Sequence, residues 1–489
     1  MGIAFRWGQS VQSHFERNFR HFHKTKYVKI EENNSIPSTA TGKDCARMPQ
    51  AKIKSLFAVL VMMTLVLLLV TFVMDVPVFG STRAGGVNLE PANLIWEKTY
   101  GGSGDDRAFS AAKAGDGYLV VGSSTSFGEN ATVGWVLKID AVGAVIWNIT
   151  FPAEHGSEFR QVLGLDDGFL LVGNVFQASG SQDGYVVRLD NEGQVTWNLT
   201  VGGEGVDKLF AGSMASDGFV IAGLTYGVGG DSDVWVVKVS GSGSLVWQKT
   251  YGDSASDDAA RSIFRDSDYF YVAGYTNEKA EQDYDFLLLK LDATGTLVWK
   301  HTYGGAQSDK AYAIAKASDG YVLVGDTHSK GNGDSDGWAI KVGSDGNVEW
   351  DAAFGGKDFD QATSVANSAD GGFLVGGFTF SFGNCKRDFW LTKLDGSGRE
   401  VWSCTQGGVN YEEAYVVLDA GQDEFVMAGW RNYVEGGPYD YYVVKISPAS
   451  ESGAFPSYVF VGWTVLAVVV SCVAGFVVLR TRKKKLVEL

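Results

Sequence analysis

Two columns of acidic residues recur along this chain at a near-constant spacing. Carboxylates at such positions can hold a cation or cap a turn. The first column lies ten residues after a recurring Trp and comprises Asp106, Asp207, Asp257, Asp309, Asp360 and Glu412. The second repeat has Ser157 there, with Glu158 beside it. A ring of acids round a channel mouth holds cations or cationic groups. The same residues can cap turns through their own backbone amides, and a column present in nearly every repeat favours that architectural role.

The second column is Asp183, Asp233, Asp285, Asp336, Asp388 and Asp440, doubled by Asp231, Asp283 and Asp334. The stretch Asn332-Gly-Asp334-Ser-Asp336-Gly337 fits the first half of a calcium loop. Position 343 is Gly, so the closing bidentate Glu is missing, and Asx-turn chemistry is the competing reading. Calcium is the one cofactor these acids point to. Catalysis has thin support: His155, His301 and His328 fall in different repeats, and no nucleophile-elbow or zinc motif occurs.

The elements that position these acids follow from the repeat. Trp residues stand at 96, 147, 197, 247, 299, 350 and 402, spaced 51, 50, 50, 52, 51 and 52 apart. A Gly column runs through 122, 173, 223, 274, 325, 377 and 429, and an aromatic column through Trp135, Tyr185, Trp235, Phe286, Trp338, Trp390 and Tyr441. Each unit holds four short apolar runs bounded by Gly, Asp and Ser, which is strand chemistry with turn chemistry between. Asp-Gly pairs mark the first hairpin of most units and D-x-x-G turns the last. Four antiparallel strands at this period predict a propeller blade, and seven units predict an all-β, seven-bladed β-propeller over 94–447. The seventh unit lacks a Trp strand and the first Trp strand lacks a unit. Leu94–Tyr100 is therefore expected to pair with Asp440–Ser447 and close the ring.

The net charge of −16 divides unevenly. Residues 1–54 hold ten Lys/Arg against four Asp/Glu, and 480–489 hold five against one, which leaves −26 for the rest. Between these basic ends lie two uncharged apolar runs, 55–74 and 458–479. Each is long enough to cross a bilayer as a helix, and flanking Lys/Arg place both ends in the cytoplasm. The first run reads equally as a signal peptide with a start at Met48. On either reading, linkers 80–93 and 448–457 join the membrane segments to an exported propeller. Export makes Asn130, Asn148 and Asn198 glycosylation acceptors. The acidic body disfavours nucleic acid.

The fragments KLDATGTLVW and RLDNEGQVTW resemble the D-x-x-G-x-x-x-W docking motif of pyrroloquinoline-quinone-type propellers. The order GYLVVG, DVWVVKV, LVW is similar to the kelch arrangement. The W-x-K-T-Y-G-G repeats also look like those of prokaryotic surface proteins. The resemblance implies a propeller. Kelch-like repeats imply a binding module, and the quinoprotein likeness implies an extracytoplasmic oxidoreductase; a lyase using the channel mouth is the other enzymatic reading. The expected function is binding or scaffolding at the cell surface, toward a surface protein or a glycan. The alternatives are that enzyme or a cation-stabilised envelope element. Trp430 and Tyr433 break the pattern after the repeat Gly and are the expected contact patch.

Overall fold

A computed structural model describes residues 92–448, apart from 130, 227–229, 254–255, 281–282 and 385. These residues lie in the unit Thr82–Leu489 of the chain. They form seven four-stranded antiparallel sheets. Six sheets take their strands in chain order. The seventh joins Glu412–Gly421, Glu424–Asn432 and Tyr439–Pro448 to the N-terminal strand Ala92–Tyr100. Leu94 pairs with Ile446 and Tyr100 with Tyr441, so the ring closes as the repeat count requires. The closing strand runs two residues further out than expected, from Ala92, opposite Pro448.

The first strand of each blade touches the first strands of both neighbours all the way round. These strands are Asp106–Ala114, Ser157–Leu165, Asp207–Ala215, Asp258–Asp266, Asp309–Lys316, Asp360–Asn367 and Glu412–Gly421. They therefore surround the central axis, while the Trp strands lie outermost. The core sits between blades. One buried cluster joins Val220 and Val236 of blade three to Phe270 and Leu289 of blade four, and six equivalent clusters fill the other seams. Burying each such side chain contributes about 1.5–3 kcal/mol, which explains why a lone blade has no core of its own.

Outer-strand aromatics fasten each blade to the next. Trp96 donates its indole N–H to Ala141 O at 3.0 Å and Tyr100 its hydroxyl to Gly143 O at 2.7 Å. Trp197 and Trp350 reach Gly241 and Gly396 in the same way. The D-x-x-G turn is thus a dock for the preceding blade's Trp. In the first hairpins, the turn pairs are Gly115-Asp116, Asp166-Asp167, Ser216-Asp217, Ser267-Asp268 and Gln422-Asp423. The Gly after Asp opens the second strand, where a Cβ on Gly117 would strike Ile139 O.

Two members of the expected aromatic column shift by one residue. Gly274 pairs with Leu287 and Gly429 with Tyr442, so Phe286 and Tyr441 face the opposite seam. Among the described residues no helix is long and apolar enough to cross a membrane. The segments 55–74 and 458–479, the basic ends, most of the two linkers, Asn130 and Cys385 lie outside the described residues.

Candidate functional site

The Gly column builds the site. A Cβ on Gly122, Gly173, Gly223, Gly274, Gly325, Gly377 or Gly429 would collide with the carbonyl oxygen of Arg107, Glu158, Lys208, Ala259, Lys310, Gln361 or Glu413 respectively. Gly admits that close approach, and beside it every first strand carries a β-bulge. A bulge turns its extra residue out of the ladder. Here those residues are Phe109, Arg160, Phe210, Arg261, Tyr312, Thr363 and Tyr415. They meet their neighbours around the axis. Phe109 and Tyr415 stack edge-on at 5.4 Å, Arg160 lies over Phe109 at 4.2 Å, and Arg261 lies 4.5 Å from Phe210 and 5.7 Å from Tyr312.

Just above the bulges, Arg107, Glu158, Lys208, Ala259, Lys310, Gln361 and Glu413 form a second ring. Their partners on the second strands are Ser123, Asn174, Leu224, Tyr275, Asp326, Phe378 and Trp430. These three positions differ from blade to blade, while the Gly beside them recurs in every blade. Much of the upper ring is satisfied across seams. Gln361 donates to Asp326 at 2.8 Å, Arg387 pairs with Glu413, and Arg107 stacks on Tyr439 at 4.4 Å and on Trp430 at 5.6 Å. Glu158 binds Arg160 at 2.8 Å and accepts from Asn174. Burial, with Arg160 and Arg261 close by, holds the Lys208 ammonium below its ordinary range, partly offset by Glu158. Burial and Arg261 do the same to Lys310, offset by Asp326. Burial likewise raises Asp326, against hydrogen bonds from Gln361 and Tyr312.

The first acid column lies one step outside these rings, turned into the seams. Asp106, Asp309 and Asp360 are fully buried. Their Oδ2 atoms accept from the amides of Gly102, Gly305 and Gly356 at 2.8, 2.9 and 2.7 Å, and Asp207 serves Gly203 at 2.6 Å. Glu412 accepts from Arg431 at 3.1 Å. In blade four the column falls on Asp258, not Asp257, because the loop after Trp247 is one residue longer; Asp258 pairs with Thr276 as Asp309 pairs with Thr327. Asp257 instead accepts from the Ser232 amide at 3.0 Å. Ser157 takes the place of an acid in blade two and accepts from Gly134 N at 2.9 Å. Glu158, one residue on, belongs to the upper ring.

The second acid column meets the first at a Gly in four seams. A Cβ on Gly101 would collide with Asp440 and Asp106, on Gly252 with Asp233 and Asp258, on Gly304 with Asp285 and Asp309, and on Gly355 with Asp336 and Asp360. Asp183 packs against Gly202 and Asp388 against Gly407 in the same way. The seam between blades one and two is the exception: Val133, Pro152 and Ser157 replace Asp, Gly and Asp together. The Gly is therefore required by the acids it separates. Burial raises Asp336, Asp440 and Glu412, and each partner acid, Asp360, Asp106 or Asp388, adds to the rise. Burial pushes Asp388 up to about 6.

The calcium-loop candidates divide. Asp336 accepts from the amides of Asn332 at 2.7 Å and Gly333 at 3.2 Å, which is turn capping, while the Asn332 and Asp334 side chains are exposed. Burial raises Asp233, with Asp253 and Asp231 adding to it, and Asp283 Oδ1 is buried without a hydrogen-bond partner. Among the described residues no three acid, imidazole or thiol groups converge as a metal cage requires.

Trp430 does not present a free face: it is buried against Tyr439 at 4.4 Å in the closing seam. Tyr433 is exposed and hydrogen-bonds Thr99 at 2.6 Å. Asn148 and Asn198 are exposed on outermost strands. Cys404 carries a free, buried thiol.

No protein-family model matches the chain, and no curated protein matches it by sequence. Solved structures similar to it include the WD40 domain of Pan2 from Neurospora crassa, at 14% identity and TM-score 0.45. That match covers 71% of this chain and 90% of that one. Sqt1 from Chaetomium thermophilum is similar at 12% identity and TM-score 0.42, covering 74% of this chain and all of that one. At these identities and TM-scores the likeness carries no argument about this chain.

Proposed function

We propose that this chain is a membrane-anchored binding module whose ligand site is the upper mouth of the propeller channel. One observation carries the reading. The two rings about the axis, on the first strands and their partners, carry a different side chain in nearly every blade around a recurring Gly. Seven-fold architecture needs none of that variety, whereas recognition of an asymmetric ligand does.

The topology supports an orientation. First strands start at the upper face, so the chain enters at Ala92 and leaves at Pro448 on the lower one. The expected helix 458–479 follows after a short linker. The mouth then faces away from the membrane, on the exported side. Exposed Asn148 and Asn198 are compatible with glycosylation there.

The test is capture of glycans and surface proteins by the purified full chain on an array. A ligand that binds wild type, and is lost on Glu413→Gln or Lys208→Gln with the melting temperature kept, supports the reading. A ligand bound equally well by both variants places the site elsewhere and contradicts it.

A further inference from the structure

The seven first strands do not distribute charge evenly. Arg160, Lys208, Arg261 and Lys310 stand on four consecutive blades, two through five, on the bulge and the position above it. Arg160 has its own carboxylate in Glu158. Among the described residues, no ion pair involves Lys208, Arg261 or Lys310. The Nε of Arg261 is buried and lacks a hydrogen-bond partner. What surrounds these cations is aromatic: Phe210 and Tyr312 beside Arg261, with Tyr275 at 5.6 Å, and Tyr284 beside Lys310 at 4.1 Å.

Holding three half-buried like charges together is unfavourable unless something compensates them. Aromatic faces offset part of that cost, but their quadrupoles do not neutralise a full charge. The arrangement is more notable in a chain of net charge −16 with carboxylates to spare. Two carboxylates do approach the arc. Glu158 is paired with Arg160 and Asn174, and Asp326 with Gln361, Tyr312 and, at 3.8 Å, His328; each also attracts one lysine of the arc, Lys208 or Lys310, without forming an ion pair with it. A ligand anion is the missing partner. A guanidinium fork flanked by ammonium groups suits oxygens of a carboxylate or phosphate, and the flanking rings offer a flat apolar face to the rest of the molecule.

We infer that the arc of Lys208, Arg261 and Lys310 binds a small ligand through an anionic group, a carboxylate or a phosphate. This rests on the mouth being the binding site and specifies its ligand class. Neutral sugars lack the group and bind elsewhere or not at all.

The experiment is isothermal titration of the purified full chain with D-glucuronate, inorganic phosphate and D-glucose. Glucuronate or phosphate is expected to bind, glucose is not, and the affinity falls as salt rises. Lys208→Gln and Arg261→Gln each weaken the anion at least tenfold. Preference between the two anions tells a carboxylate site from a phosphate site. Should a variant fail to fold, the salt dependence and the glucose control on wild type still decide. Failure of both anions to bind overturns the inference, as does anion binding that neither variant changes. Array capture of a neutral ligand that depends on Glu413 would at the same time leave the mouth in place as the binding site, so the two claims fail separately.

Discussion

The guanidinium carbon of Arg261 lies 4.5 Å from the centroid of the Phe210 ring, across the seam between blades four and three. Burial depresses both Lys208 and Lys310, and the charge of Arg261 adds to it. A residue placed for a ligand rather than for the fold costs stability in the free protein. Arg261→Met keeps a long apolar side chain beside Phe210 and removes the repulsion. The melting temperature of the ligand-free chain is expected to hold or rise by a few degrees, on the order of 0–1 kcal/mol. A fall of several degrees in calorimetry would show that Arg261 is structural.

The acid seams predict an intolerant glycine. Gly101→Ala places a methyl against Asp440 and Asp106 and is expected to destabilise by about 2–3 kcal/mol. The seam of Val133, Pro152 and Ser157 supplies the compensation. Asp440→Val with Asp106→Ser should restore most of the loss in the Gly101→Ala background, measured by denaturant unfolding. No recovery would mean that the backbone, not the acids, demands the Gly.

Ring closure predicts a loss of cooperativity. Removing 92–100 uncovers the edge of Tyr439–Pro448 and the buried Tyr441 and Tyr442. The shortened chain is expected to melt without a sharp transition. Trp96→Ala removes one dock and should cost about 2 kcal/mol, less than a fully buried Trp. A shortened chain that melts like the whole would disprove the closure.

Stability should fall from acid to neutral pH. Burial pushes Asp388 up to about 6 and Glu400 up to about 7. The folded chain then holds protons that the unfolded chain has released, so stability declines as pH rises from about 4 to about 7 and levels off above. Asp395, held down to about 2 by Ser397 and backbone amides, acts oppositely and only at lower pH. Melting temperature is expected to be higher at about pH 5 than at about pH 8, and Asp388→Asn should flatten part of that slope, on the order of 2 kcal/mol. A melting temperature that rises over this range would contradict the assignment.

The fold was legible because a repeat writes itself seven times. Trp, Gly and Asp columns each mark one contact: a dock, a bulge and a seam. Register was less legible where neighbours are alike. Asp257 and Asp258 differ by one residue in a loop whose length varies, and Phe286-Leu287 and Tyr441-Tyr442 offer an apolar or aromatic side chain to either face. The channel rings were not legible from sameness at all. Phe109, Arg160, Phe210, Arg261, Tyr312, Thr363 and Tyr415 share only a near-constant offset from the repeat Trp, 13 residues in six blades and 14 in blade four. A search for the position beside each Gly-enforced bulge, rather than for matching residues, finds them. Trp430 stood out as irregular, but that Tyr439 covers it and that it stands opposite Glu413 in the upper ring was not legible.

The most direct measurement is lysine acetylation of the full chain, read by mass spectrometry, with and without a ligand recovered from the array. Lys208 and Lys310 line the mouth, whereas Lys249 and Lys300 sit on outer strands. The account predicts that the ligand slows acetylation of Lys208 and Lys310 and leaves Lys249 and Lys300 unchanged. Protection of the outer lysines with Lys208 and Lys310 unaffected would contradict it.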